Sequence, residues 1–232
     1  AQAAANRALT GELGAAGAVR KLVTSNPYAS PLDAAMEIIK NLAALRSQAF
    51  EAALGGPRLA WIVPLLGLAA ALDRRSRRLA LPLLLGAIGA IALVSLNATA
   101  RFQNLRYAAP SLLMLLAAAA LGAASIARRA SATAAALLIA AAVVAPAGAF
   151  RRQIDHFGRA SANIAGQQVE VARRLAARAP PPRCVLVGDA GAIPYLSGLG
   201  AIDGLGLGGY HDLPFARASV HGDAAVVELI ER

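Results

Sequence analysis

Two arginines five positions apart, Arg101 and Arg106, lie in a short polar segment with the sequence Arg-Phe-Gln-Asn-Leu-Arg-Tyr. We call this segment, residues 101–107, the arginine turn. A planar guanidinium group can donate paired hydrogen bonds to two oxygens of a phosphate. Gln103, Asn104 and Tyr107 add further hydrogen-bonding groups. These residue types predict a phosphate-binding site, and the simpler alternative is that the arginines only anchor helix ends at lipid headgroups.

A second group of polar side chains follows two predicted strands near the end of the chain. Asp189 comes after the apolar run Cys-Val-Leu-Val-Gly, and Asp203 follows the shorter run Ala-Ile. Ligands of α/β sheets bind outside the carboxyl ends of the strands. With Tyr210 and His211 nearby, these aspartates predict a surface that suits a carbohydrate. The alternative is that each aspartate caps a helix or ends a turn.

The sequence predicts no cofactor. The glycine-rich stretch at residues 204–209 has neither the dinucleotide-binding spacing nor the P-loop spacing. A divalent metal is an alternative that the residue types leave open, although their spacing matches no ligand motif. Its candidate ligands are Asp189, His211, Asp212 and His221.

The composition indicates a membrane protein with soluble parts. The chain is 57% hydrophobic, and its formal net charge of +10 comes almost entirely from arginine. Many of the arginines stand in pairs beside apolar runs, which favours anionic lipid as their partner. Only 4% of the residues are aromatic, and no basic patch is interleaved with aromatic residues, so nucleic acid is not expected as a partner.

Long uncharged runs predict about four transmembrane helices. Residues 79–100, 107–127 and 130–150 carry no charge over 22, 21 and 21 residues, and the first two runs flank the arginine turn. A helix of this length can cross a bilayer core of about 30 Å. Residues 59–72 form the weakest predicted span, which gains sufficient length only when residues 52–58 are added.

The arginines in the short loops predict an orientation. The arginine turn contains two arginines. The loop between the first two predicted spans and the loop between the last two together contain six: Arg74, Arg75, Arg77, Arg78, Arg128 and Arg129. Cytoplasmic loops carry the excess of basic residues. The arginine turn and everything after residue 150 are therefore expected outside the cytoplasm.

The remaining segments complete a predicted domain plan. Ser30 and Pro31 predict the start of an amphipathic helix, which either packs on its own domain or lies in the membrane interface. After residue 150, a linker at 153–158 leads to helices and short strands that predict a small, incomplete α/β domain with a parallel sheet. The plan is extracytoplasmic and interfacial helices at 1–56, transmembrane helices at 57–150, and a soluble α/β domain at 151–232.

Three stretches carry a resemblance to a known family. They are Arg101-Phe-Gln-Asn-Leu-Arg-Tyr107 with Pro110, Asp189-Ala-Gly-Ala-Ile-Pro-Tyr195 with Ser197-Gly198, and Ile202-Asp203-Gly204-Leu205-Gly206-Leu207. They resemble the C-terminal part of bacterial polytopic membrane glycosyltransferases of the GT-C type, similar to the actinobacterial terminal arabinofuranosyltransferases. The resemblance covers roughly residues 79–210.

The resemblance implies an enzyme of the bacterial cytoplasmic membrane that moves a sugar from a polyprenyl-phosphate donor to a glycan, lipid or protein acceptor. It implies donor contacts at the arginine turn, and acceptor contacts in the α/β domain through Asp189, Tyr195, Asp203, Tyr210 and His211. The catalytic aspartate of such enzymes is expected upstream of this sequence, so this part alone is expected to be inactive. The alternative from another class is a non-catalytic, membrane-anchored binding or assembly module that displays the α/β domain.

Overall fold

The structure, a computed structural model, describes residues 2–10, 14, 18, 21–101, 103–180, 182–188, 191–204 and 222–231. This part of the chain is mostly helical and contains one pair of short strands. The helices are α1 (Gln2–Thr10), α2 (Pro31–Ala44), α3 (Ile62–Leu72), α4 (Arg77–Ser95), α5 (Ala109–Arg129), α6 (Ala132–Val144), α7 (Ala147–Asn163), α8 (Glu170–Ala176), α9 (Ala192–Ser197) and α10 (Asp223–Glu231). The strands are β1 (Cys184–Val187) and β2 (Gly200–Asp203).

The chain divides into two compact units, Met36–Ile154 and a second one made of Ala1–Ala35 with Asp155–Arg232. In the first unit, α5 is the central helix and packs against α3, α4 and α6. A buried apolar cluster lies along the contact of α3 with α5. Its members are Leu54, Ala60, Val63, Leu66, Ala119 and Ala123.

Small residues allow α3 and α5 to approach closely. A Cβ atom added to Gly122 would lie 1.7 Å from the backbone oxygen of Leu66, so only glycine fits at this position. On the other helix, a Cβ atom at Gly67 would lie 3.4 Å from the Cβ of Ala118. Interfaces of small residues are a common way of packing helices within membranes.

Three helical ranges among the described residues are long and apolar enough to cross a membrane: Arg77–Ser95, Arg106–Arg129 and Ala132–Ala176. They cover most of the three long uncharged runs of the sequence. Leu59–Leu72, the weakest predicted span, is a shorter apolar helix. At about 1.5 Å per residue it extends about 21 Å, which is less than the about 30 Å of a bilayer core.

Helix α2 begins at the residue that the sequence predicts, and some of its apolar side chains are exposed. The backbone amide of Asp33 donates to Ser30 Oγ at 3.2 Å, and the Ser30 amide donates to Asp33 Oδ2 at 3.0 Å. These reciprocal bonds form a capping box at the start of the helix. Further along α2 the apolar side chains Met36 and Ile39 are exposed, whereas Asn41 is buried.

In the second unit, β1 and β2 form the predicted parallel pair. Cys184 is aligned with Gly200 and Val187 with Asp203, and the amide of Gly204 donates to the carbonyl of Val187 at 2.7 Å. The short helix α9 lies in the crossover between the strands and packs against α8. The described part of this unit is therefore a small α/β arrangement with a two-stranded sheet.

The predicted linker at residues 153–158 is wrong, because these residues lie inside α7. The polar composition of Gln153, Asp155 and His156 concealed a helical repeat. Phe150, Ile154 and Phe157 are spaced by four and three residues, which places them on one face of a helix.

Candidate functional site

The arginine turn joins the two central apolar helices at one end of the first unit. From residue 103 onward the turn belongs to a 3-10 helix, Gln103–Ala108, that leads into α5. At the opposite end, Ser76 at the start of α4 lies 2.9 Å from Ser125 near the end of α5, measured between the hydroxyl oxygens. The two helices are therefore antiparallel, as the sequence predicts, and the turn lies away from the arginine-rich loops.

Arg101 is held by an acidic partner. Its guanidinium forms an ion pair with Glu37 of α2. The carboxylate of Glu37 is also 3.9 Å from the ammonium nitrogen of Lys40. Arg101 thus connects the arginine turn to α2, and much of its charge is compensated by Glu37.

Arg106 has a different environment. Its guanidinium carbon lies 5.2 Å from the centre of the Tyr107 ring, and its Nη2 donates to Tyr107 Oη at 3.4 Å. No carboxylate forms an ion pair with Arg106 among the described residues. The positive charge of Arg106 therefore remains available to an anionic ligand.

Arg106 lines a cavity of about 570 Å³ in the first unit. Two amide side chains, Gln48 and Gln153, also border it. The remaining lining is apolar and comes from Ala52, Ala53, Ala109, Leu112, Val143, Pro146, Ala147, Ala149 and Phe150. A guanidinium beside an apolar cavity can bind a ligand that combines an anionic group with a hydrocarbon chain.

A second cavity, of about 490 Å³, is almost entirely apolar. Leu112 lines both cavities, and Phe50, Trp61 and Ile88 line the second one. The hydroxyl of Ser111, which also lines it, is buried and has no hydrogen-bond partner within the described structure. Leu112 therefore lies between two cavities whose linings are mainly apolar.

The other predicted donor-site residues are only partly described. Gln103 and Asn104 lie in the same 3-10 helix as Arg106. The structure does not bring Arg101 and Arg106 onto a common partner, because one contacts Glu37 and the other Tyr107. The pairing of Arg101 with Glu37 could not be read from the sequence, since 64 positions separate the two residues.

Of the predicted acceptor residues, the structure describes only Tyr195 and Asp203. Tyr195 of α9 is 86% exposed, whereas Asp203 at the end of β2 is buried. Asp189, Tyr210 and His211 lie outside the described residues, as do the alternative metal ligands Asp212 and His221. Within the described ranges, no group of three or more His, Cys, Asp and Glu side chains is placed to hold a metal ion.

Sequence reasoning missed a buried carboxylate, Asp73, in the loop between α3 and α4. Its Oδ2 accepts hydrogen bonds from Ser125 at 2.7 Å, from Arg128 at 3.0 Å and from Ser76 at 3.2 Å. Its Oδ1 forms an ion pair with Arg129. A single acidic residue among many loop arginines was the only signal for this cluster in the sequence.

The contacts of Asp73 depress its pKa. The hydrogen bond from Ser125 holds the pKa well below its usual range, although burial acts in the opposite direction. The backbone amide of Arg75 and the side chains of Arg128 and Ser76 act in the same sense as Ser125. Asp73 is therefore a charged group that ties both arginine-rich loops to one end of the helices.

Asn41 is the second polar residue that the sequence did not single out. Its side-chain amide is buried and donates to the backbone oxygens of Ser95 at 2.9 Å and Asn97 at 3.0 Å. These carbonyls lie at the end of α4 and beyond it, where a helix leaves its acceptors unpaired. Asn41 thus fixes the end of α4 beside the arginine turn.

Comparison with known proteins identifies one similarity. A family model described as a domain of unknown function (DUF8728) matches residues 162–232, which contain α8, β1, α9, β2 and α10. No curated protein and no solved structure matches the chain. The C-terminal segment is thus similar to a family whose description gives no activity.

Proposed function

We propose that this chain is part of an integral membrane glycosyltransferase that moves a sugar from a polyprenyl-phosphate donor to a cell-envelope glycan, lipid or protein acceptor. The observation that carries the proposal is Arg106, which lines an apolar cavity of about 570 Å³ without an acidic partner among the described residues. A polyprenyl phosphate combines an anion with a long hydrocarbon chain, so both of its parts match this cavity.

The two arginines of the turn have separate roles in this proposal. Arg106 binds the lipid phosphate, and Gln48 and Gln153 supply hydrogen-bonding groups around the same cavity. Arg101 positions the turn through Glu37 and adds electrostatic attraction. Gln103, Asn104 and Tyr107 complete the polar surroundings of the phosphate.

The proposed topology has about four transmembrane helices in the bacterial cytoplasmic membrane, with Leu59–Leu72 as the shortest. Arginine-rich loops favour the cytoplasmic side. The contacts of Asp73 with Arg128 and Arg129 support placing both arginine-rich loops on the same side of the membrane, because they join the two loops directly. The arginine turn and the α/β domain are then extracytoplasmic, and the exposed Met36 and Ile39 favour an interfacial position for α2.

The α/β domain is proposed to contact the acceptor. Tyr195 is exposed, and an aromatic ring of this kind can stack on a sugar face. Asp189, Asp203, Tyr210 and His211 are the other proposed contacts. No cofactor is assigned to this site.

The proposal is tested by sugar transfer from a polyprenyl-phosphate donor, measured with the full-length protein in membranes. Arg106→Ala should raise KM for the donor about tenfold to hundredfold, the effect of losing hydrogen bonds to a charged group. Arg101→Ala is the matched control and should raise it less, because Glu37 already compensates that charge. An unchanged KM in Arg106→Ala would exclude the phosphate role.

The same preparation separates the enzyme from a non-catalytic module. Binding of polyprenyl phosphate can be followed by native mass spectrometry independently of transfer. Binding that depends on Arg106 without any transfer would favour a membrane-anchored binding or assembly module. Transfer that depends on Arg106 would support the glycosyltransferase.

A further inference from the structure

Helix α7 carries a row of large apolar side chains that the rest of the described structure leaves uncovered. Phe150 is 68% exposed, Ile154 55% and Phe157 74%. None of the residues of α7 is buried. Exposed apolar rows of this kind mark surfaces that contact a partner or a membrane.

The opposite side of α7 is basic. At about 100° per residue, Arg152 and Arg159 project away from the apolar row, and Arg151 lies at its edge. Asp155 is the one acidic residue of the helix. Apolar and polar residues separate more sharply on α7 than on α1 to α6 and α10. Such a separation is typical of helices that lie at a membrane surface.

The place of α7 in the chain brings it to a membrane face. It follows α6 within Ala132–Ala176, a range that is long and apolar enough to contain a span. The uncharged run that begins before α6 ends at Arg151. From Phe150 to Phe157 the helix advances by about 10 Å, which keeps the apolar row close to the headgroup layer.

We infer that α7 docks on an anionic lipid surface through the part from Phe150 to Arg159. Phe150, Ile154 and Phe157 insert between the headgroups, and Arg151 pairs with lipid phosphates at the edge of the row. Arg152 and Arg159 add attraction to the negative surface. Of the three apolar residues only Phe150 also lines the Arg106 cavity. Docking through Ile154 and Phe157 therefore does not depend on sugar transfer.

A second copy of the chain fits the apolar row of α7 less well than a lipid surface does. The next positions of the row are Ser161 and Ile164, and a π-helical segment, Ile164–Val169, follows. A π-helical segment changes the number of residues per turn and breaks the repeat. Two heptads are too short for a sustained coiled-coil seam.

The test uses the whole chain in nanodiscs of neutral lipid with or without anionic phosphatidylglycerol. Cys184 is replaced by serine, and single cysteines at Phe157→Cys and Arg159→Cys carry a nitroxide label. Oxygen, which concentrates in lipid, and a water-soluble nickel chelate report the environment of each label. Ile154→Cys is a second probe of the apolar face in case Phe157→Cys does not fold.

Docking predicts a higher oxygen-to-nickel collision ratio at 157 than at 159, and a larger difference in anionic nanodiscs. Arg151→Gln should lower the docking equilibrium constant about fivefold, as expected for one basic residue near an anionic surface. Equal nickel accessibility at 157 and 159 would overturn the inference. So would strong spin–spin coupling between labels at 157 in nanodiscs with two copies, since a second copy would then cover the row.

Discussion

At the scale of single residues, Asp73 is a buried carboxylate at the centre of a polar cluster. Its carboxylate is 3% exposed and contacts two serines and two arginines. Ser76 lies just before α4, and the other three partners lie at the end of α5, so one side chain joins the α3–α4 loop to the end of α5. Removing its charge would leave Arg128 and Arg129 facing each other without a counter-ion.

Asp73→Asn is therefore expected to destabilise the helices. The thermal unfolding temperature in nanodiscs should fall clearly below that of the wild type, and Asp155→Asn, an exposed aspartate of α7, should change it little. Equal effects of the two substitutions would mean that the Asp73 cluster contributes no more than surface charge.

The depressed pKa of Asp73 also sets a pH dependence. A group whose pKa is lower in the folded state stabilises the fold above its unfolded pKa of about 3.9, and loses this contribution as the pH falls toward the folded value. The difference in stability between wild type and Asp73→Asn should be constant at neutral pH and shrink below about pH 4. A difference that disappears between pH 5 and 7 would contradict the assignment.

At the scale of elements, the contact of α3 with α5 depends on Gly122. A methyl group there would overlap the backbone oxygen of Leu66, which cannot move without displacing the helix. Gly122→Ala should destabilise the protein by about 1–3 kcal/mol, the range for overpacking a core. Gly89→Ala on α4 is the matched control.

A Cβ atom at Gly89 would meet nothing within 4 Å, and alanine is the better helix former, so Gly89→Ala should be neutral or stabilising. Denaturation of both variants in the same detergent measures the difference. Similar stabilities would show that α3 and α5 can separate at no cost.

Elements with a local signal were predictable, whereas contacts between distant residues were not. Charge-free runs predicted α4 and α5, and Ser30 with Pro31 predicted the start of α2. The row of α7 was missed because polar residues outnumber apolar ones there. The partners of Asp73 are at least 52 positions away in α5, and no periodicity records such a contact.

At the scale of the whole molecule, the number of membrane crossings fixes which segments share a side. Arg74 precedes α4, Cys184 follows α6, and α4, α5 and α6 lie within the three ranges long enough to span. If all three ranges cross, their odd number puts residues 74 and 184 on opposite faces of the membrane. This holds for either orientation and whether or not Leu59–Leu72 spans.

Labelling with a membrane-impermeant maleimide in intact cells tests this arrangement. Cys184 is exposed and serves as one site, and Arg74→Cys in a Cys184→Ser background serves as the other. The proposed orientation predicts that Cys184 reacts in intact cells and that Arg74→Cys reacts only after lysis, because basic loops favour the cytoplasm. The opposite result would reverse the orientation and place the Arg106 cavity at the cytoplasmic face. Labelling of both sites from the same side would show that one of the three helices does not cross.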